Sequence, residues 1–279
     1  MRNQIIHIDL NEFYKGVDCD WEFLPGECNF ECRKCEHFEE YKEKMQWIIT
    51  KEDITNGIFI LEKERIYPLD YQNLFEGALS CFLSSSENFK KQMKVFTSFQ
   101  NRNLNTPKSI LHNFDQARKL IQKTRFPNQR EKRLLAFAVW WLNSDLPLKI
   151  LSDTQNGGQR EVELRDQLAK EAPGFGMKCS SLLLIKCGYE NVIPIDIWML
   201  RYLKFLGYNV KIPDYRTISG ITGKEYRKYE EILRNIALEH QLSPALFQAA
   251  IWSKKSAWSR NPVKPRQLFI EDFGGGLTG

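Results

Sequence analysis

The stretch APGFGMKCSSLLLIKCGYENVIPIDIWMLRYL, residues 172–203, holds two ionisable side chains where chemistry could be done. Lys178 follows a Gly174-Phe175-Gly176 turn at the start of an apolar helix, and Asp196 stands at the start of the next. A cation in the first helical turn opposes the helix dipole, whose N-terminal end already carries partial positive charge. That repulsion, with partial burial among Met177, Leu182 and Leu183, predicts a lowered pKa. An amine so placed can act as a nucleophile and form a Schiff base. Asp196 occupies an N-cap position, after Pro194 and before an apolar helix. It is either a structural cap or a carboxylate that relays a proton from Lys178 and offsets a cationic intermediate.

The elements that must position this pair read as helix, tight turn, helix over 162–186. Pro173 stops the first helix, and Gly174 and Gly176 permit positive φ and close backbone approach. The free N–H groups around Gly174, Gly176 and Lys178 then form a site for a phosphate oxygen, although a plain αα-hairpin has the same outline. Upstream, helical periodicity runs through LFEGALSCFL until three serines interrupt it, then resumes in FDQARKLIQ and EKRLLAFAVWWLNS on either side of Pro127. EYRKYEEILRNIALEHQ and SPALFQAAIWSKKSAW complete an all-α body. Only QWIITKEDITNGIFILEKERIY, with apolar runs around Asn56-Gly57, suggests a short β-hairpin.

Charge is unevenly spread. Residues 1–70 hold 9 Lys/Arg against 16 Asp/Glu, whereas residues 86–135 hold 12 Lys/Arg against 3 acidic residues, a net of +9. A basic block of that density suits a polyanion, because each neutralised phosphate releases counterions; a solvated helix face is the other reading. The longest apolar run, LLAFAVWWL at 134–142, is far short of the roughly 20 residues that span a bilayer. With no sustained apolar segment at the N-terminus either, the chain reads as cytoplasmic and non-membrane. Of seven cysteines, Cys81, Cys179 and Cys187 sit in apolar surroundings and read as small core residues. Cys28, Cys32 and Cys35, with Cys19 or His37 as a fourth ligand, have a spacing that suits a structural zinc or an iron–sulfur cluster, or else are reduced thiols in a loop.

The run from Pro173 to Leu203 resembles the helix–hairpin–helix and catalytic-aspartate segment of the DNA glycosylase superfamily, in particular the short prokaryotic branch of 8-oxoguanine DNA glycosylases. GFGMKCSSLLLIKCGY carries the Gly-x-Gly-x-Lys pattern, with Ser180 and Ser181 next on the helix, and PID supplies the aspartate. LFEGALSCFLSSSENF resembles the helix and polar wedge that enter DNA beside the lesion, and TRFPNQREKRLLAFAVWW a further core helix.

The resemblance implies a mainly α, two-lobed fold over 69–279, preceded by an irregular or mixed extension at 1–68. It also implies a monomer acting on double-stranded DNA that contains a modified base, by default oxidised guanine, with the target nucleotide flipped out. Lys178 would displace the base and form a Schiff base, and β-elimination would nick the strand. Asp196 would assist, and no cofactor would be required. Gly174 and Gly176 would hold a phosphate, with a monovalent cation on the hairpin carbonyls. Ser85, Ser86 and Asn88 would fill the gap left by the base, and Arg125 and Arg130 would contact DNA. Phe247 and Trp252 are candidates for stacking on the flipped base, although at helical spacing such aromatics also suit a core. The chain ends DFGGGLTG, where that branch typically places a terminal lysine that reads the oxidised base. Two alternatives follow: a bacterial defence glycosylase excising hypermodified phage bases, and a non-catalytic DNA-binding module.

Overall fold

The computed structural model describes residues 47, 49–84, 89–155, 160–213 and 221–255. The chain divides into Met1–Ile48 and Ile49–Gly279. Cys19, Cys28, Cys32, Cys35 and His37 lie outside the described residues, as do Ser85, Ser86 and Asn88.

The second unit is helical, with no strand among its described residues. Its first helix, α1 (Lys51–Glu64), contains the Asn-Gly that suggested a hairpin. The hairpin expectation is corrected here, and the reason is local. Thr50 and Asp53 form a capping box, each side chain accepting from the other's backbone N–H, and this commits the following residues to a helix. Ile54, Gly57 and Leu61 then fall on the face turned to the protein. Gly57 is used for contact: a Cβ there would lie 3.0 Å from the Ala250 nitrogen. Asp53 also accepts from Lys254 Nζ at 3.0 Å, which joins the cap of α1 to the last described helix.

Among the described residues eleven further helices follow: α2 (Tyr71–Ser84), α3 (Phe89–Gln100), α4 (Pro107–His112), α5 (Phe114–Ile121), α6 (Pro127–Asn143), α7 (Leu146–Gln155), α8 (Glu161–Glu171), α9 (Met177–Lys186), α10 (Ile197–Phe205), α11 (Gly223–Glu239) and α12 (Pro244–Lys255). Pro127 begins α6 at a position where its missing N–H has no intrahelical partner to lose. No single helix among the described residues is long and apolar enough to cross a membrane.

The fold is the two-lobed helix–hairpin–helix type. One apolar group centres on α2, α6 and α9, with Leu79, Phe137, Trp141 and Leu183 fully buried. Cys81, Cys179 and Cys187 are buried free thiols within it. The other is built from α10, α11 and α12, with Leu203, Leu233 and Phe247 fully buried. α1 packs along α12, and α8 along α9. Two neighbouring helices can approach so closely at Gly57 only because no side chain separates them. Gly57→Leu should therefore lower stability by about 1–3 kcal/mol, the range for overpacking, read as a lower denaturant midpoint with unchanged slope; an unchanged midpoint would show that α1 is loosely attached.

Candidate active site

α8, the turn 172–176 and α9 make the hairpin, and the turn is fastened by its central aromatic. Phe175 is buried and stacks on Phe137 of α6 with ring centroids 5.2 Å apart. The two glycines that flank it do different work. Gly174 has φ +86°, and a Cβ there would lie 2.5 Å from Phe82, so both conformation and packing require glycine. Gly176 is the N-cap of α9 in extended conformation (φ −126°), which any residue can adopt, and nothing lies within 4 Å of where its Cβ would be. The expectation of positive φ thus holds for Gly174 and is corrected for Gly176. What Gly176 provides is open space beside the unbonded N–H groups of the first turn of α9.

Lys178 is the second residue of α9 and half-buried. Asp196 is the N-cap of α10; its Oδ1 accepts from Trp198 N at 2.9 Å and Met199 N at 3.1 Å. One oxygen carries the capping load, which leaves Oδ2 for other partners. Burial pushes the Asp196 carboxyl above the usual carboxylate value, while the nearby charge of Lys178 and the cap hydrogen bonds pull it down. The same lysine acts on Cys81 of α2, a thiol that burial holds at about 12 against the opposing charges of Lys186 and Lys178. Lys178 therefore lies within electrostatic reach of both the α10 cap and the last turns of α2.

The segment 190–196 that delivers Asp196 has no regular secondary structure, yet Val192, Ile193, Pro194 and Ile195 are buried. Its polar groups are met by side chains of α8 and α11. Glu161 accepts from Asn191 N at 2.6 Å and from its Nδ2 at 2.8 Å. Glu230 accepts from Ile193 N at 3.1 Å and from Arg165 Nη1 at 2.7 Å, a pair almost wholly removed from water. Tyr226 donates to Ile193 O at 2.5 Å and accepts from Ile195 N at 3.1 Å. Burial raises its phenol pKa, so the donated proton stays in place. None of Glu161, Arg165, Tyr226 or Glu230 stood out in the sequence. The available signal was Tyr226 and Glu230 at i and i+4, which puts a charge on the inward face of an amphipathic helix.

Other candidates resolve differently. Arg130 is 5% exposed and its Nη1 donates to the last-turn carbonyl of Leu83 at 3.1 Å, so it closes α2 and does not face solvent for a phosphate. Arg125 is exposed, as are the other ten basic residues of the block. Phe247 is a core residue, fully buried between Tyr202 and His240 at 5.6 and 5.9 Å, which corrects its reading as a base-stacking platform. Trp252 is part-exposed and meets Phe89, the first residue of α3, edge-on at 5.6 Å. Among the described residues no three His, Cys, Asp or Glu side chains converge as a metal site.

Lys178 near the start of α9 and Asp196 at the cap of α10 thus stand at the openings of successive helices, and the hairpin turn before α9 offers unbonded N–H groups. The family model of 8-oxoguanine DNA glycosylases matches residues 62–242, and the chain belongs to that helix–hairpin–helix family. Among curated relatives, the 8-oxoguanine DNA glycosylase/AP lyases of Thermotoga petrophila and Thermotoga maritima are each 34% identical over 88 residues, 32% of this chain. The chain thus matches 40% of the length of these relatives. Among solved structures, the Methanocaldococcus jannaschii 8-oxoguanine DNA glycosylase superposes with a TM-score of 0.55 at 19% identity, covering 81% of this chain and 96% of that one. The Thermotoga maritima enzyme gives 0.52 at 20% identity, covering 78% and 92%.

The two glycines separate folding from ligand approach. Gly174→Ala should destabilise the protein, because it combines left-handed strain of about 1–2 kcal/mol with the Phe82 clash. Gly176→Ala should leave the melting temperature unchanged and weaken DNA binding several-fold in a fluorescence-anisotropy titration. Unchanged DNA affinity would mean that no phosphate approaches this turn.

Proposed function

We propose that the chain is a DNA glycosylase with AP-lyase activity that extrudes a modified nucleotide, by default oxidised guanine, from double-stranded DNA. The observation that carries the reading is the half-buried Lys178 in the first turn of α9, electrostatically coupled to the capping Asp196 of α10. Family membership and the exposed basic residues of α3 to α6 support it. The fold neighbours include the Methanocaldococcus jannaschii enzyme solved with a 15mer DNA containing 8-oxoguanine, at 18% identity, a TM-score of 0.55 and 76% coverage of this chain.

In this reading Asp196 Oδ2 takes a proton from the Lys178 ammonium. The freed Nζ attacks C1′ of the extruded nucleotide. The bond from C1′ to the base breaks, and its electron pair departs with the base, which is then protonated. Loss of a proton from nitrogen and opening of the sugar ring give the Schiff base. Removal of a C2′ proton then expels the 3′ phosphate with its bonding pair, which nicks the strand. The proton held on Asp196 passes to the departing base, and the carboxylate so regenerated offsets the positive charge left on the nitrogen and sugar.

Mass spectrometry of bases released from defined duplexes tests the reading. Wild type should release oxidised guanine, and Lys178→Gln should release none. Release of a hypermodified base with none from the 8-oxoguanine duplex would move the substrate while keeping the chemistry. Release of no base from any duplex would overturn the proposal.

The raised pKa of Asp196 gives a second test. Excision needs the ionised carboxylate, so its acid limb should have a midpoint above the ordinary value of 3.8. The ionised group weighs against folding at neutral pH, and this cost shrinks as pH falls below its folded-state pKa and is gone below the ordinary value. Asp196→Asn keeps a competent cap and removes the charge. It should melt at or above the wild-type temperature while excision falls by roughly 100-fold or more. Near-normal turnover would reduce Asp196 to a helix cap.

A further inference from the structure

We infer that Tyr226 is a positioning residue for the proposed reaction, its hydroxyl fixing the Lys178 helix and the segment 190–196 that delivers Asp196, here called the strap, relative to one another. The inference rests on the functional reading above and adds a residue that neither the sequence pattern nor the chemistry of the pair supplies.

A phenolic oxygen has one proton to give and two lone pairs to receive. Tyr226 has three partners. Its proton goes to Ile193 O at 2.5 Å, since a carbonyl can only accept. It accepts from Ile195 N at 3.1 Å, since an amide can only donate. The third partner is Ser181 Oγ at 3.1 Å, and with the phenolic proton already committed, the serine must be the donor. Every hydrogen-bonding capacity of the oxygen is thereby used, so the hydroxyl cannot rotate without breaking a bond.

The partners belong to two different elements. Ile195 directly precedes Asp196, so the Ile195 bond fixes the chain one residue before the cap. Ser181 lies three residues after Lys178 on α9, on the same side of the helix about one turn further along. Ser181, Ile193 and Ile195 are all buried, so no water replaces the hydroxyl if it is removed. The ring is held independently, with the Arg165 guanidinium 5.6 Å from its centroid and Arg165 itself anchored on Glu230. Tyr226→Phe therefore removes the link between the two elements and leaves the ring in place. A nucleophile displaced by about 1 Å can lose roughly 100-fold in rate.

The experiment compares wild type, Tyr226→Phe and Ser181→Ala in single-turnover excision from the duplex on which wild type is active, well below each melting temperature. DNA affinity and the pH profile are measured alongside. Tyr226→Phe should lower the single-turnover rate roughly 10- to 100-fold, change DNA affinity less than about 2-fold, and displace the acid limb governed by Asp196. Ser181→Ala, which removes one arm of three, should lower the rate several-fold in the same direction. A purely structural tyrosine would lower the melting temperature and leave rate and acid limb at wild-type values, which overturns the inference while leaving the Lys178 chemistry intact. If Tyr226→Phe does not fold, Ser181→Ala decides: a several-fold loss supports the link, and a wild-type rate overturns it. A wild type that releases no base overturns the functional reading, and this inference with it.

Discussion

An extended segment buried on both sides must find partners for backbone groups that no helix or sheet satisfies. Residues 192–195 are such a segment, and the position of Asp196 depends on how that demand is met. Glu230 is the pivot. Its carboxylate takes the Ile193 N–H and, at 2.7 and 2.8 Å, the Nη1 of a fully buried Arg165. The ion pair joins α8 to α11 and brings Tyr226, one turn before Glu230, beneath the strap. Breaking such a pair strands a buried charge, at a cost of about 3–5 kcal/mol. The strap and the cap that follows it rest on that unit.

With this frame fixed, the two ionisable side chains are presented from helix ends. Lys178 and Asp196 both stand at N-termini, where unbonded N–H groups accumulate and partial positive charge collects. For Asp196 this field is favourable, and the cap uses it, yet burial still outweighs these effects and leaves the carboxyl a stronger proton acceptor than an exposed aspartate. The lysine is placed where its charge is unwelcome to the dipole and is answered by that carboxylate. The hairpin turn adds open space at Gly176, while Gly174 and Phe175 lock the turn against Phe82 and Phe137.

The helical body, the hairpin over 162–186 and the capping role of Asp196 could all be read from residue order, because helical periodicity, Gly-x-Gly and a Pro-x-Asp before an apolar run are local signals. Residues 51–64 misled for a physical reason. Asn56-Gly57 is a strong turn signal only when nothing earlier commits the chain to a helix, and the Thr50–Asp53 capping box does so. Arg130, a DNA contact by resemblance, and Phe247, a candidate for stacking or for the core, are both buried by helices distant in sequence, which no local pattern reveals. The strap network escaped for the same reason. Glu161, Arg165, Tyr226 and Glu230 look like ordinary amphipathic-helix residues until the tertiary fold turns them onto 190–196.

The central claim is that the ε-amine of Lys178 forms the covalent bond to DNA, and chemical capture tests it most directly. Purified protein is incubated with a damaged duplex in the presence of borohydride, and the reduced adduct is digested and mapped by mass spectrometry. The account predicts one modified peptide, bearing a sugar-phosphate remnant on Lys178 and absent from Lys178→Gln. A remnant on another amine, or undiminished trapping in that variant, would contradict it.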